Sequence, residues 1–153
     1  MKQDKKLQRY GRVYKQLETL LAPHTDTTAA MATIAAVLHH KFDYFFWTGF
    51  YLLKEGELIV GPYQGPVACI LLKKNTGVCW AGINRKEAVI VPDVHQFPGH
   101  IACDSRSNSE IVLPLMNASG EITGVLDIDS RDLNAFDEAD REGLEKILTL
   151  VYK

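Results

Sequence analysis

The chain has no apolar run near the roughly 20 residues that a membrane-spanning helix needs. It has no Cys-x-x-Cys pair, no lysine- or arginine-rich block, no internal repeat and no low-complexity segment. Residues Met1 to Tyr10 are charged and polar, without the apolar centre of a secretory signal. The expected location is therefore the cytoplasm, with no membrane partner. A formal net charge of −2 without a basic stripe argues equally against nucleic acid. Cysteine is scarce and odd in number: Cys69, Cys79 and Cys103. That excludes an ordinary secreted disulfide framework and leaves structural, metal-binding or reactive thiols.

What remains is an ordinary globular composition, 46% hydrophobic and 24% charged over 153 residues. This length predicts one domain, residues 1–153, able to bury a core without staples. Leu7, Tyr10, Tyr14, Leu17 and Leu21 form a helical stripe that Pro23 ends. Thr25 and Asp26 can cap a second helix with Ala30, Ile34, Val37 and Leu38 inward. Tyr44 to Leu53 reads as an aromatic strand, and 54–57 as a turn. Leu58 to Val60 is its partner, broken by Gly61-Pro62, and Val67 to Leu72 is a further strand.

Gly77 to Ile83 suits a short helix and Ala88 to Val91 a short strand. Glu110 to Leu115 and Ile122 to Ile128 flank a hairpin turn, and Asp137 can cap a last helix with Leu144, Ile147, Leu148 and Val151 inward. The sum is an α+β domain: about six strands in a mostly antiparallel sheet with helices on one face. The stripes of the terminal helices could also serve a homodimer.

Between them, 93–108 has no period, and a loop this long in a compact domain is usually functional or disordered. The apolar pair Ile101-Ala102 in its middle favours order. Cys103 lies there, beside His100 and Arg106, which could stabilise a thiolate. Cys69 sits in the apolar segment Val67-Ala68-Cys69-Ile70, where a core thiol is the default. Cys79 stands at a helix start, whose field would lower a thiol pKa.

His95, His100 and Cys103 are zinc-compatible types, but their spacing matches no familiar zinc pattern, so no metal is expected. Asp127 and Asp129, two apart on a strand, point to one face. They are either a solvated strand end or a cation-binding or proton-donating pair that Glu110 could join. Trp47 and Tyr51 also share a face, as core or as pocket walls.

Several segments carry a resemblance. Trp47-Thr48-Gly49-Phe50-Tyr51, the run from Gly61 to Cys69, and Gly77-Val78-Cys79 resemble the GAF-domain free methionine-R-sulfoxide reductases. So do Val91-Pro92-Asp93-Val94-His95, Gly99 to Asp104, Ser109 to Val112 and Gly124 to Ser130. Generic GAF sensors lack all three cysteines in these contexts. The resemblance implies a GAF domain: a six-stranded antiparallel sheet with the N- and C-terminal helices on one face. It implies reduction of free L-methionine (R)-S-oxide by a cysteine sulfenic acid/disulfide cycle, with thioredoxin as external reductant and no bound cofactor.

By the same resemblance Cys103 attacks the sulfoxide sulfur, Cys69 takes the resolving position, Cys79 shares or relays that role, and Trp47 and Tyr51 wall the substrate. The chemistry of the residues agrees: a protonated acid at Glu110 or Asp127 could protonate the sulfoxide oxygen, Glu110, Asp127 and Asp129 could bind the ammonium, and backbone N–H groups of 77–79 could hold the carboxylate. The loop 93–109 would close the pocket against methionine within a protein chain. One departure stands out: Trp80-Ala81 follows Cys79 where the family commonly has glycine and a small or hydroxyl residue. The alternative function is a GAF module that senses a small ligand or a redox state. Such sensors are usually fused to output domains, and none is evident here.

Overall fold

The computed structural model describes residues 1–100 and 103–152. The expectation placed on Ile101-Ala102 lies outside the described residues.

Helix α1 (Gln3–Leu21) buries Lys6, Tyr10, Val13, Leu17 and Leu21. Tyr10, Leu17 and Leu21 of the expected stripe are buried, while Lys6 and Val13 go inward in place of Leu7 and Tyr14. Leu7 is 39% exposed. The Lys6 ammonium is held by Asp140 Oδ2 at 2.6 Å and by Asp137 at 3.3 Å. Helix α2 (Thr27–Lys41) starts where expected, because Asp26 accepts a hydrogen bond from the Ala29 N–H. Asp137 caps the last helix, α4 (Glu138–Leu148), in a reciprocal box with Asp140.

The strands are β1 (Trp47–Lys54), β2 (Glu57–Gln64), β3 (Leu71–Leu72), β4 (Val89–Val91), β5 (Ser109–Met116) and β6 (Ile122–Ser130). They form one sheet in the order β3-β2-β1-β6-β5-β4. Every pairing is antiparallel. Two strand expectations fail for identifiable reasons. Gly61-Pro62 does not end β2, because the β1–β2 register slips there, from Gly49↔Tyr63 to Tyr51↔Val60. A bulge accepts proline, whose missing N–H is not needed in the ladder. The expected strand Val67 to Leu72 shrinks to Leu71–Leu72, and the segment before it is an irregular loop entered through Gly65 at φ 121.

Helices pack on both faces of the sheet. On one, α1, α2 and α4 cover Phe50, Ile111, Leu113, Leu126 and Ile128. On the other, α3 (Gly77–Arg85) packs against β5 and β6 over Val112 and Val125. So the terminal helices do share one face, while the short helix takes the opposite one. Gly82 allows that close approach, since a Cβ there would stand 2.8 Å from Val112 Cγ1. Trp80 is buried in this second core and does not line the cleft described next.

Candidate active site

Strand alternation and register build the site. On β1, Trp47, Gly49 and Tyr51 point away from the large helical core. Across the ladder Trp47 pairs with Asp129, Gly49 with Asp127 and Tyr51 with Val125. On the far side of β6, Glu110 pairs with Asp129 and Val112 with Asp127. One transverse row therefore reads Trp47, Asp129, Glu110 and the next reads Gly49, Asp127, Val112. Gly49 leaves room for the ring beside it, as a Cβ there would meet the Trp47 indole at 2.6 Å and Tyr63 Cβ at 2.3 Å. Trp47 consequently stacks between Tyr51 and Tyr63, with centroids 5.7 and 5.2 Å away.

Over these rows lies a cleft that, with its mouth, encloses about 610 Å3. Its floor is Trp47, Tyr51, Glu110, Asp127 and Asp129, and one wall is the start of α3 through Cys79. The opposite rim carries His100 and Cys103. The eight catalytic and substrate-binding residues that the sequence and its resemblance imply, Trp47, Tyr51, Cys69, Cys79, Cys103, Glu110, Asp127 and Asp129, are thus in or beside one cleft. Seven line it directly, and Cys69 joins it through a bond. The Cys69 and Cys103 sulfurs form a disulfide, with Cα atoms 5.6 Å apart.

Two tethers hold the Cys69 loop to the floor: Trp47 Nε1 donates to the Pro66 carbonyl and the Tyr51 hydroxyl to the Cys69 carbonyl, both at 3.0 Å. Cys69 is half-buried in this loop and is not the strand-interior thiol that its apolar neighbours suggested. Pro66, Thr76, Asp104 and Ser107 also line the cleft and were not legible as site residues.

The electrostatics correct two expectations. Cys79 is buried among carboxylates, and burial first, then Asp127, Glu110 and Asp129, push its thiol well up. Desolvation and like charge outweigh the helix N-terminal field, so Cys79 is a protonated thiol. Arg106 does not serve Cys103: Asp104 holds it at 2.7 and 3.0 Å, and its guanidinium lies over the Phe46 ring. His100 does line the cleft, but burial lowers its pKa and keeps it neutral. No lysine or arginine lines the cleft among the described residues.

Glu110, Asp127 and Asp129 are all raised, chiefly by burial and, for Glu110 and Asp129, by neighbouring carboxylates. They titrate as a group that shares protons. Asp127 Oδ1 and His100 Nδ1 are buried without a hydrogen-bond partner. His95 turns away, exposed and paired with Asp93 at 2.9 Å, so the triad of His95, His100 and Cys103 does not form. Among the described residues the one convergence of metal-ligating atoms is Cys79, Glu110 and Asp127.

Known proteins resemble this chain. The family model for the GAF domain matches residues 24–151. The GAF domain-containing protein A of Dictyostelium discoideum is 48% identical over 95% of this chain and 92% of its own length. The free methionine-R-sulfoxide reductase of Escherichia coli (strain K12) is 40% identical over 94% of this chain and 87% of its own. The X-ray structure of free methionine-R-sulfoxide reductase from Neisseria meningitidis, in complex with its substrate, superposes with a TM-score of 0.88 at 42% identity, covering 93% of this chain and 85% of that one. Fold, site and likeness agree: the chain belongs to the GAF domain family and, within it, to the free methionine-R-sulfoxide reductases.

Proposed function

We infer that the protein reduces free L-methionine (R)-S-oxide to L-methionine, with thioredoxin returning the electrons. The observation that carries this reading is the Cys69–Cys103 disulfide at the rim of a small acidic, aromatic-floored cleft.

The chemistry runs in three balanced steps. The Cys103 thiolate attacks the sulfoxide sulfur while an acid protonates its oxygen, and methionine leaves with Cys103 as a sulfenic acid. A protonated member of the Glu110, Asp127, Asp129 group suits that donation, because burial keeps a proton in the group near neutral pH. Cys69 then condenses with the sulfenic acid, releasing water and forming the disulfide. An external dithiol reopens it by exchange.

Recognition follows from the walls. The Trp47 and Tyr51 rings fit the methylthio end of the side chain. An ionised member of the acid group faces the ammonium. The first turn of α3 has no side-chain cap, which leaves backbone N–H groups along the cleft for the substrate carboxylate. Both ends of a free amino acid are then used, and a residue within a polypeptide has neither.

Thioredoxin suits the outer side. Cys103 is exposed, and Val67 and Ile70 beside Cys69 are 85% and 71% exposed. Together they give an apolar surface next to the bond that must be exchanged. The test is turnover of separated R and S epimers of free methionine sulfoxide with a thioredoxin system. Turnover of the free R epimer alone is expected. Equal rates with both epimers, or none with either, would reject the reading.

A further inference from the structure

The acid floor and the third cysteine have a property that sulfoxide reduction does not use. Cys79 Sγ and one carboxylate oxygen each from Glu110 and Asp127 lie within 4.8 Å of one another. All three residues are only 5% exposed. The Asp127 carboxyl is buried against Glu110 and the Cys79 thiol, its Oδ1 meets no donor outside that cluster among the described residues, and a cation could replace the protons the cluster shares. Among the described residues no lysine or arginine lines the cleft to neutralise it.

Sulfur in the donor set favours a thiophilic ion over magnesium or calcium, which prefer all-oxygen shells. Around tetrahedral zinc, bonds of roughly 2.0–2.3 Å place one sulfur and two oxygens some 3.3–3.5 Å apart. The three atoms lie within 4.8 Å of one another and need draw in by at most about 1.5 Å, the scale of a side-chain rotation. The neutral His100, whose Nδ1 is also unpartnered, offers a further donor on the same cleft.

We propose that Cys79, Glu110 and Asp127 bind zinc or a similar thiophilic divalent cation, and that this ion and the sulfoxide exclude one another. Ligation replaces the Cys79 S–H with an S–metal bond and sends the proton to solvent; no electron is transferred. The exclusion rests on the reductase reading, since the same acids face the substrate there. The ion would act as a brake on the enzyme, set by free metal and relieved by substrate.

The probe is Co2+ added to protein oxidised at Cys69–Cys103, where Cys79 is the sole thiol. A sulfur-to-cobalt charge-transfer band that saturates at one ion per chain is expected, with zinc bleaching it. Cys79→Ala should abolish the band, and Asp127→Asn should weaken binding at least tenfold while circular dichroism shows an intact fold. No band, or a band unchanged in Cys79→Ala, would overturn the site. Free methionine sulfoxide should remove the band competitively, and a band indifferent to saturating sulfoxide in an active enzyme would overturn the exclusion. The two readings fail separately. A chain inactive on sulfoxide that still binds cobalt through Cys79 keeps the site and loses the reductase, and an active chain without the band does the reverse.

Discussion

The Tyr51 hydroxyl donates a hydrogen bond to the backbone carbonyl of Cys69, 18 residues away, at 3.0 Å. A wall of the cleft is thus also a strut for the loop that carries one sulfur of the disulfide. Trp47, whose Nε1 donates to the Pro66 carbonyl, does the same from the same face at the start of β1. Tyr51→Phe should keep the ring and lose the strut. We expect a stability loss of about 0.5–1.5 kcal/mol, the usual net value of one hydrogen bond. We also expect slower Cys69–Cys103 closure after oxidation of the reduced protein, followed by rapid quench and thiol alkylation. Closure at the wild-type rate would show that the loop holds its place without the tether.

The acid floor should cost stability at neutral pH. In the folded chain Asp129 binds its proton more tightly than an ordinary carboxylate, because burial and Asp127 disfavour its charge. A raised folded pKa gives a contribution that is complete below the unfolded value of about 4 and disappears as pH rises through the folded value. Asp129→Asn should therefore raise the thermal midpoint at pH 7–8 and leave it nearly unchanged near pH 4, while reducing turnover. A midpoint lowered at pH 8 would contradict the assignment.

Far from the cleft, Asp140 accepts from Lys6 at 2.6 Å, Tyr10 at 2.8 Å, Tyr44 at 2.6 Å and the Asp137 N–H at 2.9 Å. This buried network ties α1 to the start of α4. Lys6→Met should leave a buried carboxylate without its countercharge, at a cost of about 3–5 kcal/mol in urea unfolding. An unchanged unfolding midpoint would mean that Tyr10, Tyr44 and the Asp137 N–H satisfy Asp140 without Lys6.

Sequence patterns exposed much of this architecture and part of the site. The caps Asp26 and Asp137 and the shared face of Asp127 and Asp129 follow from local rules, and the structure keeps them. Lys6 was hidden because a buried lysine is visible only once its partner 134 residues away is in place. The β2 extension through Pro62 was hidden because a bulge depends on the neighbouring strand. Cys79 was misjudged because the helix start is local, whereas the carboxylates that outweigh it come from β5 and β6. Cys69 shows the limit most clearly: its apolar neighbours suggested a core strand, yet Val67 and Ile70 face outward from a loop.

Removing the second sulfur should trap the first intermediate. In Cys69→Ser, one pulse of free (R)-sulfoxide should yield methionine and leave Cys103 as a sulfenic acid, captured by dimedone and located by mass spectrometry. Steady turnover should fall at least roughly tenfold, since no disulfide forms for exchange. Adduct on Cys79 instead would reassign the nucleophile.

The most direct test of the central claim is a single turnover without external reductant. Fully reduced protein is mixed with excess free L-methionine (R)-S-oxide, then quenched, alkylated and mapped by mass spectrometry. One methionine per chain, the loss of two hydrogens and a bridge joining Cys69 to Cys103 with Cys79 alkylated is the predicted result. Methionine released while both Cys69 and Cys103 remain alkylatable, or no methionine at all, would contradict it.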